Sequence, residues 1–353
     1  MGKHGSRYGR IRPLSRNLRA GWFDVVAEGC PPFDRSEDGF VRTVHRVVAI
    51  YLRDPMRAAE GFVRPRPIGC VNVDTVSLSG KELAAAVNAD TKARAAALTD
   101  RGTTPRLALI VANDDPASAW YVNSLRKAAE RLGIACDTVD LGPEAGVAQI
   151  RAELTARGAD AATDAIMLQT PLPAGVTLDD VSSAIVASKD VDGVSPLSLG
   201  LLAAGLDGFV PATSEAVVEL LEHHEIPLAG RHVAVVGRSN VVGKPLAQLL
   251  LAKDATVTVC HSRTADLAAV TAAADVVVAA AGRIGLISGK HVREGAVVID
   301  VGTNEALDGK IVGDVDADSV RGKAAGLSPV PGGVGPVTTA LLMRHVVIAA
   351  ESR

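Results

Sequence analysis

Near the C-terminus of this 353-residue chain lies a run whose residue types suit a flat ligand: Ser328-Pro329-Val330-Pro331-Gly332-Gly333-Val334-Gly335-Pro336-Val337-Thr338. Proline fixes φ and removes a donor, while glycine opens conformations that other residues reach only under strain. Such a run fits neither a helix interior nor a central strand. Its backbone makes either an interdomain linker or a shaped wall that lies against a ligand. Its place between a nucleotide-binding pattern and a closing helix favours the wall.

A second stretch has the chemistry for phosphate. His232-Val233-Ala234-Val235-Val236 runs into Gly237-Arg238-Ser239-Asn240-Val241-Val242-Gly243-Lys244-Pro245, a strand, a glycine turn and a helix start. The spacing is G-x-S-x-x-x-G-x-P rather than GxGxxG, but the physics is shared. Gly237 permits a tight turn and Gly243 lets backbone approach closely. Pro245 suits a first helical turn, whose free N–H groups and dipole favour an anion. A purely structural βα turn is the alternative. After the next strand, an acid would hold a ribose 2′-OH and a cation would accept a 2′-phosphate. Here Cys260-His261-Ser262-Arg263-Thr264 brings no acid before Asp266. With Arg238 directly after the first glycine, the pattern predicts NADP rather than NAD. A solvated surface charge is the alternative for each arginine.

The elements that must position these groups alternate in type. Ser79-Gly80 precedes an Ala-rich helical pattern over 81–98. Then come a buried strand at 107–111, a helix at 117–132, a weaker strand at 137–141, a helix to about 157, a strand at 165–168 and a helix near 179–188. A second unit opens with a helix at 215–224 and a turn at 227–230. It continues with strands at 232–236, 256–260, 275–279 and 296–301 and a helix at 244–252. The pattern predicts βαβ units in an α/β protein of two domains. One is a parallel-sheet N-terminal domain (77–212), onto which a closing helix (337–353) packs back. The other is Rossmann-like and doubly wound (213–336).

Composition narrows the class. Hydrophobic residues make up 48% of the chain and aromatics 3%, which suits Val/Ile/Leu strands and Ala/Leu helices. A net charge of −3 offers no reason to expect nucleic acid or an anionic membrane as a partner. No run is read as approaching the ~18 apolar residues that span a bilayer. Cys30, Cys70, Cys136 and Cys260 are scattered without metal-ligand spacing, so a reducing cytoplasm is expected and no metal. Residues 1–76 stand apart: aromatics concentrate there, and Lys3, Arg7, Arg10, Arg12, Arg16 and Arg19 open the chain without an acid. Neither a transit peptide nor a secretory signal fits well. A poorly ordered extension is expected, or translation begun upstream of a true start such as Met56.

Several motifs then converge in order: Asp115-Pro116-Ala117-Ser118 ahead of Tyr121, Gln169-Thr170-Pro171-Leu172-Pro173, Lys189-Asp190-Val191-Asp192-Gly193, the Gly237 turn, Asp300-Val301-Gly302-Thr303-Asn304 and the Pro/Gly loop. From about residue 77 onward the chain resembles the FolD family, methylenetetrahydrofolate dehydrogenase/methenyltetrahydrofolate cyclohydrolase. The resemblance implies a homodimer with a folate cleft between two domains and NADP on the second. It implies oxidation of 5,10-methylenetetrahydrofolate to the methenyl form, then hydrolysis to 10-formyltetrahydrofolate. By position, Tyr121 would stack on the folate, Gln169 would bond near the reacting centre and Asp192 would bind the pterin. Pro331, Gly332 and Gly333 would line the cleft, and Gly237, Arg238, Ser239, Ser262 and Thr303 would contact the cofactor. The chemistry agrees: a carboxylate accepts paired pterin donors, and an aromatic ring matches a flat ligand.

The pattern breaks at residue 125. The family has Tyr-x-x-x-Lys, and here Tyr121-Val122-Asn123-Ser124-Leu125 puts leucine where a catalytic lysine stands. Lys127 is no substitute, since two residues turn a helical side chain through roughly 200°. Leucine cannot handle a proton, whereas hydride transfer asks mainly for positioning. Milder departures are Ala112 for glycine, Thr170 for leucine, Pro211-Ala212-Thr213-Ser214 for Pro-Cys-Thr-Pro and Ser328 for threonine. The expectation is a divergent NADP-dependent dehydrogenase whose cyclohydrolase step is weak. The full bifunctional enzyme and a non-catalytic binding paralogue are the alternatives.

Overall fold

The computed structural model describes residues 74–306 and 308–353. The proposed extension up to residue 73, with Met56, Cys30 and Cys70, lies outside the described residues. The described chain opens with β1 (Val76–Ser77) and α1 (Lys81–Asp100). It continues through β2 (Arg106–Val111), α2 (Pro116–Leu132), β3 (Ala135–Asp140), α3 (Val147–Ala159) and β4 (Ala165–Leu168). These three strands form a parallel sheet in the order β3-β2-β4. In the centre, β2 is apolar on both faces because helices cover both, and Leu107, Leu109 and Ile110 are fully buried. Asp115 caps α2 by accepting from the Ser118 N–H at 3.1 Å, Pro116 occupies its first turn, and Gly133 ends it at φ +76°.

The single helix expected over 179–188 is broken. A capping box of Thr177 and Asp180 starts α4 (Leu178–Val181), which gives way to 3-10 turns at Ser182–Ala184 and Ala187–Lys189. Between the turns, β-branched Ile185 and Val186 take extended backbone, and Ile185 is buried in the core under β4. Next come α5 (Pro196–Ala203), which the sequence reading missed, and α6 (Ala212–His223). Ser195 and Pro196 start α5 as cap and first-turn proline.

The second lobe contains β5 (His232–Val236), α7 (Gly243–Leu251), β6 (Thr256–Cys260), α8 (Leu267–Ala272), β7 (Val276–Ala279) and β8 (Val297–Asp300). A small hairpin, β9 (Asn304–Glu305) and β10 (Ile311–Val312), precedes α9 (Ala317–Val320), β11 (Gly326–Leu327) and α10 (Val334–Glu351). The parallel sheet has the order β1-β11-β8-β7-β5-β6. Residues 74–76, assigned from sequence to the extension, therefore belong to the fold. Thr75 Oγ1 donates to the Ala324 carbonyl, and Val76 pairs with Gly326 at the edge of the second sheet.

The closing helix α10 starts at Val334 rather than Val337, since Gly335 and Pro336 sit in its first turn, where a missing N–H costs nothing. It packs on α1 and α6. Among the described residues it is the one helix apolar and long enough to cross a membrane, with mean hydropathy 1.2, which corrects the expectation that no such run exists. Burial inside the protein of 61% of it accounts for that composition. Its N-terminus meets that of α1: the Gly80 N–H donates to the Gly332 carbonyl at 2.9 Å, and a Cβ on Gly80 would lie 2.1 Å from the Gly333 carbonyl oxygen. At the far end, Arg94 pairs with Glu351 at 2.5 Å, so the two helices run in the same direction.

Candidate active site

Both sheets place their chemistry at carboxyl ends of strands, where neighbouring crossovers diverge. In the second lobe, β6 and β7 flank β5 on opposite sides, so the turn after Val236 is a switch point. Gly237 has φ +135°, and a Cβ there would lie 2.1 Å from the Ala280 carbonyl oxygen. A Cβ on Gly243 would lie 2.1 Å from the Gly237 carbonyl oxygen. Only glycine fits either position, so the turn is a cradle closed by backbone rather than side chains. Ser239 shapes it: its hydroxyl accepts from the Val242 N–H at 3.1 Å and its carbonyl from the Lys244 N–H at 3.1 Å.

Arg238 and Ser239 are exposed beside this cradle. Ser262 and Arg263 are exposed in the loop after β6, and Thr303 is exposed in the loop after β8. All five cofactor candidates thus lie in loops after strands of one sheet. The residues fit a dinucleotide phosphate: a glycine turn opening onto the first turn of α7, with cations from two adjacent loops.

Sequence reading missed the supports of these loops. Asp314 is fully buried and accepts from the Ala281, Gly282 and Arg283 N–H groups and from Asn304 Nδ2. Asp300 accepts from the Gly302, Asp314 and Val315 N–H groups. Burial nonetheless pushes its carboxyl up to about 6, against those bonds. The Asp300 N–H donates to Ser328 Oγ at 2.8 Å, tying the loop after β8 to the Pro/Gly loop. Aspartates at strand ends and in a Gly-Asp step were the available signals.

In the first lobe, Gln169 follows β4 and its N–H donates to the Ile110 carbonyl at 2.8 Å. Its side chain, 7% exposed, bonds through Nε2 to the Thr170 carbonyl at 2.6 Å. Thr170–Pro171 and Val330–Pro331 are cis. Asp190 makes a parallel bridge to Ile166, placing the Asp190–Gly193 segment beside β4. Fully buried, Asp190 accepts from the Val194 and Ser195 N–H groups and the Ser198 hydroxyl, so it is a structural cap.

Asp192 lies near enough to Tyr121 for its charge to act on the hydroxyl. The Tyr121 hydroxyl is pushed up to about 12, mainly by burial and also by the negative charge of Asp192, against a bond to Thr339 of α10. The Asp192 carboxyl is pushed up to about 7, first by burial and then by Asp190, while His345 and the Ala212 N–H pull it down. One face of α2 carries Ser118, Tyr121 and Leu125. The Ser118 hydroxyl is buried and, among the described residues, has no hydrogen-bond partner. Leu125 is fully buried in the core, and Lys127 is exposed, so the lysine two residues on does not enter the site.

Gly332 and Gly333 are buried and Pro331 is exposed in the loop ahead of α10. Gly332 has φ +110°, and the Gly333 N–H donates to the Pro329 carbonyl at 2.8 Å. Asn240 Nδ2 donates to Asp179 Oδ1 at 3.2 Å and joins loops of the two lobes, while Ser214 Oγ, in the first turn of α6, donates to the Val242 carbonyl at 3.0 Å. The arrangement can hold a flat polar ring against Tyr121 and Asp192 and a dinucleotide at the Gly237 turn.

Residues 78–192 match the family model of the tetrahydrofolate dehydrogenase/cyclohydrolase catalytic domain, and residues 211–353 match its NAD(P)-binding domain. The chain is similar to the bifunctional protein FolD of Nocardia farcinica, with 82% identity over 79% of this chain and 99% of that one. Among solved structures it resembles the bifunctional FolD dehydrogenase/cyclohydrolase of Campylobacter jejuni, with TM-score 0.77 and 40% identity over 79% of this chain and 99% of that one. It also resembles the Trypanosoma brucei methylenetetrahydrofolate dehydrogenase-cyclohydrolase, solved with NADP and an inhibitor, with TM-score 0.75 and 36% identity over 79% and 98% of the two chains. With matched domains, α/β lobes and a nucleotide cradle in agreement, the chain belongs to the tetrahydrofolate dehydrogenase/cyclohydrolase family.

Proposed function

We propose that this enzyme oxidises 5,10-methylenetetrahydrofolate to the 5,10-methenyl form with NADP and hydrolyses the product to 10-formyltetrahydrofolate. The observation that carries the first step is the Tyr121–Asp192 pair in the lobe joined to the Gly237 cradle. Asp192, when ionised, accepts the paired donors of the pterin edge, and Tyr121 packs on its face. Gln169 orients the reacting end, and Pro331, Gly332 and Gly333 form the opposing wall. Gly237, Ser239, Ser262 and Thr303 hold the dinucleotide, with Arg238 and Arg263 toward a 2′-phosphate. When bound, NADP supplies a hydride acceptor. The protein's part is to fix the distance and angle of transfer.

The name of the 82% identical relative supports the bifunctional reading better than a dehydrogenase alone. A second reading, in which hydrolysis is slow, is favoured by Leu125: it offers no proton acceptor for the attacking water, and Tyr121 keeps its proton at neutral pH. Parallel assays of NADP reduction and methenyltetrahydrofolate hydrolysis on one preparation separate the readings. Absence of methylenetetrahydrofolate-dependent NADP reduction would overturn both. The scattered cysteines, of which Cys136 and Cys260 are free, support a cytoplasmic enzyme, and the family supports a homodimer.

A further inference from the structure

His345 sits in the apolar helix α10, 4% exposed, and both its ring nitrogens face acceptors. Nδ1 lies 2.7 Å from the Val191 carbonyl oxygen and Nε2 lies 2.7 Å from Glu215 Oε2. A carbonyl oxygen cannot donate, so Nδ1 carries a proton. Glu215 is ion-paired through its other oxygen with Arg344, so Nε2 meets a carboxylate and donates as well. A ring that donates from both nitrogens is an imidazolium. Its charge is balanced locally: Arg344 Nη2 reaches Glu215 Oε1 at 2.9 Å and Glu219 Oε1 at 2.5 Å. The Phe209 ring, 5.3 Å away between centroids, covers it. The carbonyl it grips belongs to the residue immediately before Asp192.

We propose that His345 is a positioning residue for the folate site, a buried imidazolium that clamps the Val191 carbonyl and thereby aims the Asp192 carboxylate. The clamp rests on the reading that Asp192 receives the pterin. Its charged surroundings are Glu215 and Glu219 on α6, Arg344 on its own helix, and Asp190 and Asp192 on the segment beside β4. Tyr121 on α2 adds a titratable hydroxyl near Asp192, and the Arg94–Glu351 pair lies at the far end of α10. Glu215 and Arg344 act through the ring and touch no ligand.

The test compares Asp192→Asn, His345→Asn and Glu215→Gln in the full chain, with KM for methylenetetrahydrofolate, KM for NADP and the pH profile of kcat/KM. For His345→Asn the expected result is a folate KM raised roughly tenfold, an NADP KM changed less than about twofold, and an acidic limb displaced upward by about half a pH unit or more. Glu215→Gln preserves volume and an acceptor, and should displace the limb in the same direction with a smaller KM effect. It keeps the proposal testable if His345→Asn does not fold. An unaltered folate KM in Asp192→Asn would overturn the pterin reading and the clamp with it. A raised folate KM in Asp192→Asn beside unchanged KM and pH limb in a folded His345→Asn or Glu215→Gln would overturn the clamp alone.

Discussion

In its proposed role, Asp192 has to be ionised to accept the pterin's donors, and its surroundings oppose that. Burial and Asp190 hold it near 7, so a substantial share is protonated at neutral pH. Folate affinity should therefore rise with pH through about 7 and level off above it, while NADP affinity follows a different profile. Inhibition or binding measurements with a folate analogue between pH 5.5 and 8.5 read this directly. Asp192→Asn should remove that dependence and lower kcat/KM by roughly 10- to 100-fold. At residue 125 the chemistry runs the other way. Leu125→Lys should raise methenyltetrahydrofolate hydrolysis about tenfold or more. It should also lower stability by about 2–4 kcal/mol, because the position is fully buried. A variant that folds, binds folate and hydrolyses no faster would show that this side chain does not limit the second step.

Among the elements, the β5–turn–α7 unit makes the sharpest demand. Gly237 is at φ +135° and both Gly237 and Gly243 touch backbone where a Cβ would sit. Gly237→Ala combines a clash with a strained φ, so NADP binding should fall at least tenfold, with about 1–3 kcal/mol lost in stability. Titration of NADP, alongside a thermal melt, checks both. This unit was legible in the sequence because a glycine at a strand end followed by a proline in a first turn has few structural meanings. The break in the expected helix over 179–188 was not legible. Its apolar spacing suits a helix, and only the burial of Ile185 under β4 draws the backbone out. The start of α10 at Val334 was hidden for a different reason: glycine and proline read as breakers, yet both are tolerated in a first turn.

For the whole molecule, α10 connects stability to the site. It packs on α1 and α6, supplies Thr339 to Tyr121 and presents His345 to the Val191 carbonyl. Nothing in its local sequence, Met343-Arg344-His345-Val346, marks the histidine as part of a site. Only the fold brings residues 191, 215 and 345 together. The extension's last residues also joined the second sheet through β1, a pairing of 76 with 326 that no local pattern announces.

Stability should carry the mark of the raised carboxyls. Asp192 and Asp300 bind protons more tightly folded than unfolded, with values of about 7 and 6 against an ordinary 3.8. Between roughly pH 4 and 7 the folded state holds more protons, so their contribution to stability falls as pH rises through that window and is flat above it. Urea midpoints across pH should decline less steeply in Asp192→Asn than in the parent chain. Parallel slopes would mean the Asp192 carboxyl is not held up by the fold.

The most direct measurement is initial-rate NADP reduction by the purified full chain with 5,10-methylenetetrahydrofolate, repeated with NAD and with Asp192→Asn. The predicted result is folate-dependent reduction that favours NADP over NAD and is lost through the folate KM in Asp192→Asn while the NADP KM stays unchanged. No folate-dependent reduction of either dinucleotide, or full activity in Asp192→Asn, would contradict the account.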